Sequence, residues 1–203
     1  NGYQYENLAE NKFQVAYLQT LGTYGKWDTS KFYGDFGLYA QTGEAAITND
    51  KVAVGAYYAG FNLGYKFTNP FKAELGFEYL SGKDQNDTDT KVKSFTPLFG
   101  TNHGFNGLMD YFYVGNHKNS VGLQDFYTKF IYDKNKWQVT VAPHVFYSAV
   151  SVYNMTTLEE QDSYLGAEID LTATYKLDKN FVISGGVSKM FASDTMEILK
   201  GGN

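Results

Sequence analysis

The chain contains no cysteine and no arginine; all 17 of its basic residues are lysines. Without cysteine there is no disulfide scaffold, no Cys-based zinc site and no cysteine nucleophile. Without arginine, and with a formal net charge of −5, it lacks the basic face and the guanidinium forks that nucleic-acid binders use. No nucleic-acid partner is expected. No apolar run approaches the roughly 18 residues of a membrane-crossing helix, and the mean hydropathy is −0.39. That excludes helical spans only, because a transmembrane β-barrel is apolar on one face and averages out as hydrophilic. No charged segment followed by an apolar one opens the chain, so any secretory leader is expected to lie outside it. Phosphate loops, serine elbows and dinucleotide fingerprints are missing. Histidines 103, 117 and 144 lack a metal-ligand spacing. No cofactor, metal or enzymatic activity is expected.

What the chain has instead is 203 residues, enough for one domain with a substantial core, and 18% aromatics, with 18 Tyr and 16 Phe against 2 Trp. Together with 21 Gly and no helical periodicity, this predicts an all-β chain. Period-two alternation marks about eight strands, at 12–26, 31–42, 52–67, 71–81, 121–133, 137–150, 164–177 and 181–192. Globular strands usually run about 5–6 residues, and tilted membrane-crossing strands about 9–11; these are longer than either. The connections alternate. Short turns fall at 27–30, 68–70, 134–136 and 178–180, and longer segments at 43–51, 82–120, 151–163 and from 193 onward. Tight turns at one end and long loops at the other are the habit of outer-membrane barrels. A soluble secreted sandwich that binds glycans is the third reading.

One face of 164–177 reads Leu165, Ala167, Ile169, Leu171, Ala173, Tyr175 and Leu177, and the other Gly166, Glu168, Asp170, Thr172, Thr174 and Lys176. Alternation by itself says only that one face is wet. Position along the strands says more. Trp27, Phe67, Phe71, Trp137, Leu177 and Phe181 sit beside the short turns, with Tyr57, Tyr79 and Phe191 toward the opposite rim. Two aromatic belts flanking an apolar band match the two interfaces of a bilayer, so outer-membrane lipid is an expected partner. Lys189 falls on the outward parity, where a rim lysine can snorkel.

The wet parity supplies the candidate pore lining: Asp35, Glu74, Glu78, Asp125, Glu168 and Asp170, with Lys66, Lys72, Lys129 and Lys176. Acids outnumber lysines, which predicts a weakly cation-preferring or sugar-tolerant wall; pairing across strands is the plainer role. Glu74 with Glu78, or Glu168 with Asp170, shares a face, but carboxylate spacing alone does not make a glycosidase. In the long segment 82–120, Asp84, Asn86, Asp87 and Asp89 offer oxygens to Ca²⁺, yet the spacing fails an EF-hand, and a solvated acidic stretch is expected. The second part of that segment is aromatic. It is expected to fold over the mouth or inward as a constriction, with Phe105, Tyr111 or Tyr113 available to stack on sugar rings.

The strings YYAGFNLGYKF, FKAELGFEYLSGKDQND, SFTPLFGTNHGFNGLMDYFYVGN, YLGAEIDLTATYKL and GGVSKMFASDTMEILKGG resemble the alginate-export family of outer-membrane barrels, in its Bacteroidota-type branch. The resemblance spans about 12–202. It implies localisation in the bacterial outer membrane and an antiparallel up-and-down transmembrane β-barrel. It also implies a channel through which a solute diffuses or is exported without energy coupling. The sequence resembles the C-terminal part of such a barrel, a single barrel domain over 1–203 expected to be incomplete at both ends. The family's name-giving exporter resembles an Arg-lined conduit for a polyanion. With no arginine here, the expected solute is small and hydrophilic or a saccharide. The rival reading is a non-conducting surface or structural barrel, and long outer loops also leave room for a surface lipoprotein or another membrane-complex subunit.

Overall fold

A computed structural model of the chain describes residues 2–7, 12–47, 50–98, 103–104, 106–112, 114–117 and 120–201. The strands are β1 (Gly2–Asn7), β2 (Lys12–Asp28), β3 (Phe32–Ile47), β4 (Asp50–Lys66), β5 (Phe71–Leu80), β6 (Leu123–Lys134), β7 (Trp137–Tyr147), β8 (Val152–Tyr153), β9 (Glu160–Gln161), β10 (Tyr164–Lys176) and β11 (Val182–Ala192), followed by helix α1 (Asp194–Lys200). Nine of them form one sheet in the order β1-β2-β3-β4-β5-β6-β7-β10-β11, and β8 and β9 make a separate small hairpin. Every sheet neighbour is antiparallel. The architecture is therefore all-β, antiparallel and up-and-down, as in the wall of a transmembrane barrel. No helix of the described residues is long and apolar enough to cross a membrane.

All eight expected strands are present, with three corrections around them. The segment 43–51 is not a long loop: β3 runs on to Ile47, β4 starts at Asp50, and those two residues pair. The run Glu44-Ala45-Ala46 has no alternation to read, so the strand continues there without a sequence signal. β1 was also missed; it is short and pairs with residues 12–17 of β2. Where a loop is expected from 193 onward, helix α1 forms and is capped at both ends. Ser193 Oγ accepts from the Met196 amide, and Gly201 closes the helix at φ 72°. Its signals were legible: a Ser N-cap, acids Asp194 and Glu197 in the first turn and Lys200 in the last.

Register sorts the faces. On one, Phe36, Phe61, Phe77, Phe126 and Val145 stand opposite one another across five strands. The aromatic contacts within that row include Phe77–Phe126 at 4.5 Å. This face is bare, and its side chains (Phe32, Phe61, Leu75, Phe130 and Ile169 among them) are exposed. A row of large apolar groups facing outward has no reason to persist in water. In a bilayer it is the expected surface. The two belts are also in place: Phe67, Phe71, Trp137, Leu177 and Phe181 are exposed at the short-turn end, and Tyr57 and Phe191 at the other. On β4 they are separated by Tyr57 to Phe67; at about 3.3 Å per residue and a tilt near 40°, the band is roughly 25 Å tall, a fit to a thin hydrocarbon layer. Lys189 is outward, as expected, with its ammonium 5.1 Å from the Phe191 ring.

The other face is covered. The segment between β5 and β6 turns back over it rather than leaving the rim. Its two ends are pinched together by Lys83 N donating to Ser120 O at 2.8 Å. A Cβ on Gly82 would stand 2.0 Å from the Val121 backbone, so only glycine fits there. Val92 bridges to β4, donating to Ala53 O at 2.8 Å and accepting from Gly55 N at 2.9 Å. Val54, Leu80, Val92, Phe95, Phe112, Leu123, Phe146, Leu165 and Met196 form the buried core. The core is thus a layer between the wall and its own loop at the long-loop end.

Candidate functional site

The covered face gathers residues by register. Asp35, Asn62, Gly76, Tyr127, His144 and Glu168 form one cross-strand row. Glu78, Asp125 and Phe146 form the next toward the loop, and Tyr33, Gly64, Glu74 and Lys129 lie one row toward the turns. Tyrosines lie flat where glycine sits beside them. A Cβ on Gly76 would meet the Tyr127 ring at 2.2 Å, and one on Gly64 would meet the Tyr33 ring at 2.2 Å.

Residues 106–110 descend onto this wall. Asn106 Nδ2 donates to Glu78 Oε2 at 2.9 Å and to Asp125 Oδ2 at 3.3 Å. The Leu108 and Met109 amides both donate to Glu168 Oε1, at 2.7 and 2.9 Å, and Leu108 N also reaches Asp170 Oδ2 at 3.3 Å. Gly107 makes the approach possible. Its φ is +82°, and a Cβ there would lie 2.6 Å from Glu168 Oε1, so both conformation and space require glycine. His144 joins the carboxylates, with Nδ1 3.0 Å from Asp125 Oδ1 and Nε2 3.8 Å from Asp170 Oδ2. Its ring stacks on Tyr127 at 5.0 Å. A cavity of about 570 Å³ remains beside the loop tip, lined by Glu74, Glu78, Gly107, Tyr127, Lys129, His144 and Asp170.

The sequence-predicted lining therefore divides. Glu78, Asp125, Glu168 and Asp170 come together as loop anchors, with Asp125, Glu168 and Asp170 buried rather than open to a lumen. Glu74 faces Lys129 at 4.0 Å, and Asp35 accepts from Asn62 Nδ2 at 3.1 Å. The remaining lysines stay at the turn end. Lys66 pairs with Asp28, Lys72 reaches Asp133 at 3.7 Å, and Lys176 is exposed. Of the expected constriction aromatics, Phe105 and Tyr113 lie outside the described residues. Tyr111 is exposed, and its carbonyl accepts from Asn116 Nδ2 and Lys200 Nζ, each at 2.7 Å. The residues that anchor the loop, Asn106 and Gly107, escaped sequence reasoning. Their one signal is a polar Asn–Gly step inside an otherwise aromatic run.

Outside the wall, the acidic stretch is organised on itself. Asp84, Asp87 and Asp89 each accept a backbone amide two residues on. Lys93 Nζ lies 2.6 Å from Asp87 and 3.5 Å from Asp89, and this ammonium holds the Asp87 carboxyl below the usual range. Among the described residues no group of three His, Asp or Glu is placed to hold a metal ion. At the loop tip, His103 Nδ1 2.8 Å away and the Gly104 amide hold Asp110 low. His117 is buried beside Phe112 and Lys200; burial pushes its pKa down to about 4.

An up-and-down antiparallel wall that is aromatic on one face and charged on the other is the architecture of an outer-membrane β-barrel. The family model described as alginate export matches residues 7–199, and the chain belongs to that family, one of transport barrels rather than enzymes. Comparison with curated protein sequences gave no match.

Proposed function

We propose that the protein is a porin-like outer-membrane channel for passive passage of small hydrophilic or saccharide solutes, with segment 106–110 as its constriction. The observation that carries this is the anchoring of that segment. Asn106, Leu108 and Met109 fix it against one side of the charged wall, on Glu78, Asp125 and Glu168, which narrows a passage without needing to cross it. Among the described residues β1 and β11, at the two ends of the sheet order, do not pair with each other. On this reading further strands complete a larger barrel, of the Bacteroidota-type branch. A nine-stranded closure would leave an interior filled by side chains.

The wall should favour cations. Three of its lysines, Lys66, Lys72 and Lys129, face Asp28, Asp133 and Glu74, while Asp35 and Glu78 have no lysine within ion-pair distance among the described residues. Reconstitution in planar bilayers under a KCl gradient is the test. A reversal potential of the sign for potassium preference is expected; chloride preference would overturn the charge argument. Absence of any conductance would favour the non-conducting barrel.

A further inference from the structure

A second cavity, of about 480 Å³, lies between β2–β4 and the loop residues Phe95, Pro97 and Leu98. We propose that it is a docking subsite for a neutral saccharide ring and that it turns uronates away; this rests on the saccharide-channel reading and gives it a site and a selectivity.

Three observations converge. The first is a group of aromatic rings along the wall. Tyr39 and Tyr58 lie along the wall because glycines sit next to them: a Cβ on Gly60 would stand 2.2 Å from the Tyr58 hydroxyl, and one on Gly37 3.0 Å from the Tyr39 ring. The two rings are 5.8 Å apart and tilted 48° to one another, and the loop residue Phe95 packs on Tyr58 at 5.5 Å. Tyr24 stands at the mouth with more than half its surface exposed. A pyranose presents axial C–H groups on one face, and a flat aromatic ring is the partner for that face.

The second is a set of fixed polar groups beside those rings. Asp35 and Asn62 hold each other at 3.1 Å, and Tyr127 Oη donates to Asn62 Oδ1. Gln41 is clamped at both ends of its amide by Thr96, at 2.8 and 3.1 Å, which holds the loop over the cavity. A few preplaced polar groups among apolar walls are the usual composition of a small-molecule site. A carboxylate accepting from adjacent sugar hydroxyls needs no counter-charge.

The third is sign. Asp35 and Glu78 line the cavity and no lysine does. A uronate carboxylate brought there meets the Asp35 charge at short range in a partly enclosed space, where screening is weak. The family's name points to a polyuronate, and the charge lining this cavity disfavours one.

Isothermal titration of the full chain in detergent micelles with maltohexaose, cellohexaose and hexagalacturonate tests the proposal, alongside planar-bilayer conductance of the same preparation. At least one neutral hexaose is expected to bind and hexagalacturonate to bind more weakly or not at all. Tyr24→Ala, at an exposed position that leaves the core intact, should weaken neutral binding by roughly fivefold. Asp35→Asn keeps an acceptor for Asn62 and should narrow the preference for neutral over acidic sugar. Hexagalacturonate binding tighter than both neutral sugars, or no neutral binding by a folded protein that conducts, would overturn the subsite and leave the channel standing. Neutral binding by a protein that does not conduct would support the subsite and overturn the channel.

Discussion

Replacing Glu168 with alanine removes the acceptor that holds the loop tip to the wall. Glu168 Oε1 takes two backbone amides, from Leu108 at 2.7 Å and Met109 at 2.9 Å, and the residue is 2% exposed. A hydrogen bond contributes roughly 0.5–1.5 kcal/mol net, and up to about 3 kcal/mol where the acceptor is charged. The two are not additive, and Asp170 Oδ2, already 3.3 Å from Leu108 N, recovers part of one. The tip should therefore lose roughly 2–4 kcal/mol of anchoring, and local opening should become about 30- to several-hundred-fold more frequent. Hydrogen–deuterium exchange in micelles reads this directly at Leu108 and Met109. Protection there should fall by that factor, while the amides of β5 and β6 keep theirs. Glu74→Ala, which removes a carboxylate from the same face but none of the loop's partners, is the control and should leave both amides protected. Unchanged protection at Leu108 and Met109 in the Glu168 variant would refute the anchoring argument.

The burial of His117 gives a pH effect of definite sign. Its folded pKa of about 4 lies below the ordinary value near 6.5, so the unfolded segment binds the proton first. Stability is then full above about pH 6.5, falls as pH drops toward 4 and levels off below, by roughly 3 kcal/mol in all. Limited proteolysis around 114–122 should accelerate across that window, and His117→Gln should flatten the response. Packing gives a second expectation. Gly76→Ala puts a methyl 2.2 Å from the Tyr127 ring and should cost roughly 1–3 kcal/mol. Gly185→Ala, with nothing within 4 Å, should be neutral. Urea unfolding midpoints of the two variants compare them; equal midpoints would refute the Gly–Tyr fit.

The wall was legible because a strand with one wet face repeats every two residues, and β10 shows it without interruption from Ala167 to Lys176. The turn ends were legible through Asn, Asp and Pro. Where alternation stops, so does the reading: Glu44-Ala45-Ala46 belongs to β3 although nothing in its pattern says so. Strand parity alone presents the candidate lining as a set of independent lumen charges. Register turned part of it into an anchor, because Glu78 stands opposite Asp125, and Glu168 opposite His144. Which residues meet across strands follows from pairing, and pairing is not written in any one strand. The loop contacts are less legible still, since Leu108 and Met109 act through backbone amides, which carry no side-chain signature.

The sheet order has a consequence for how the molecule assembles. Each wall strand pairs with its nearest sheet neighbour in the chain, so the wall can zip up hairpin by hairpin at small loop-closure cost. The contacts that seat the long loop are of another kind: Leu108 to Glu168 spans 60 positions, Gln85 to Tyr153 spans 68 and Gln41 to Thr96 spans 55. Glu168 is offered only after β10 has joined β7. The wall as far as β10 is therefore in place before Leu108 and Met109 can be seated on Glu168.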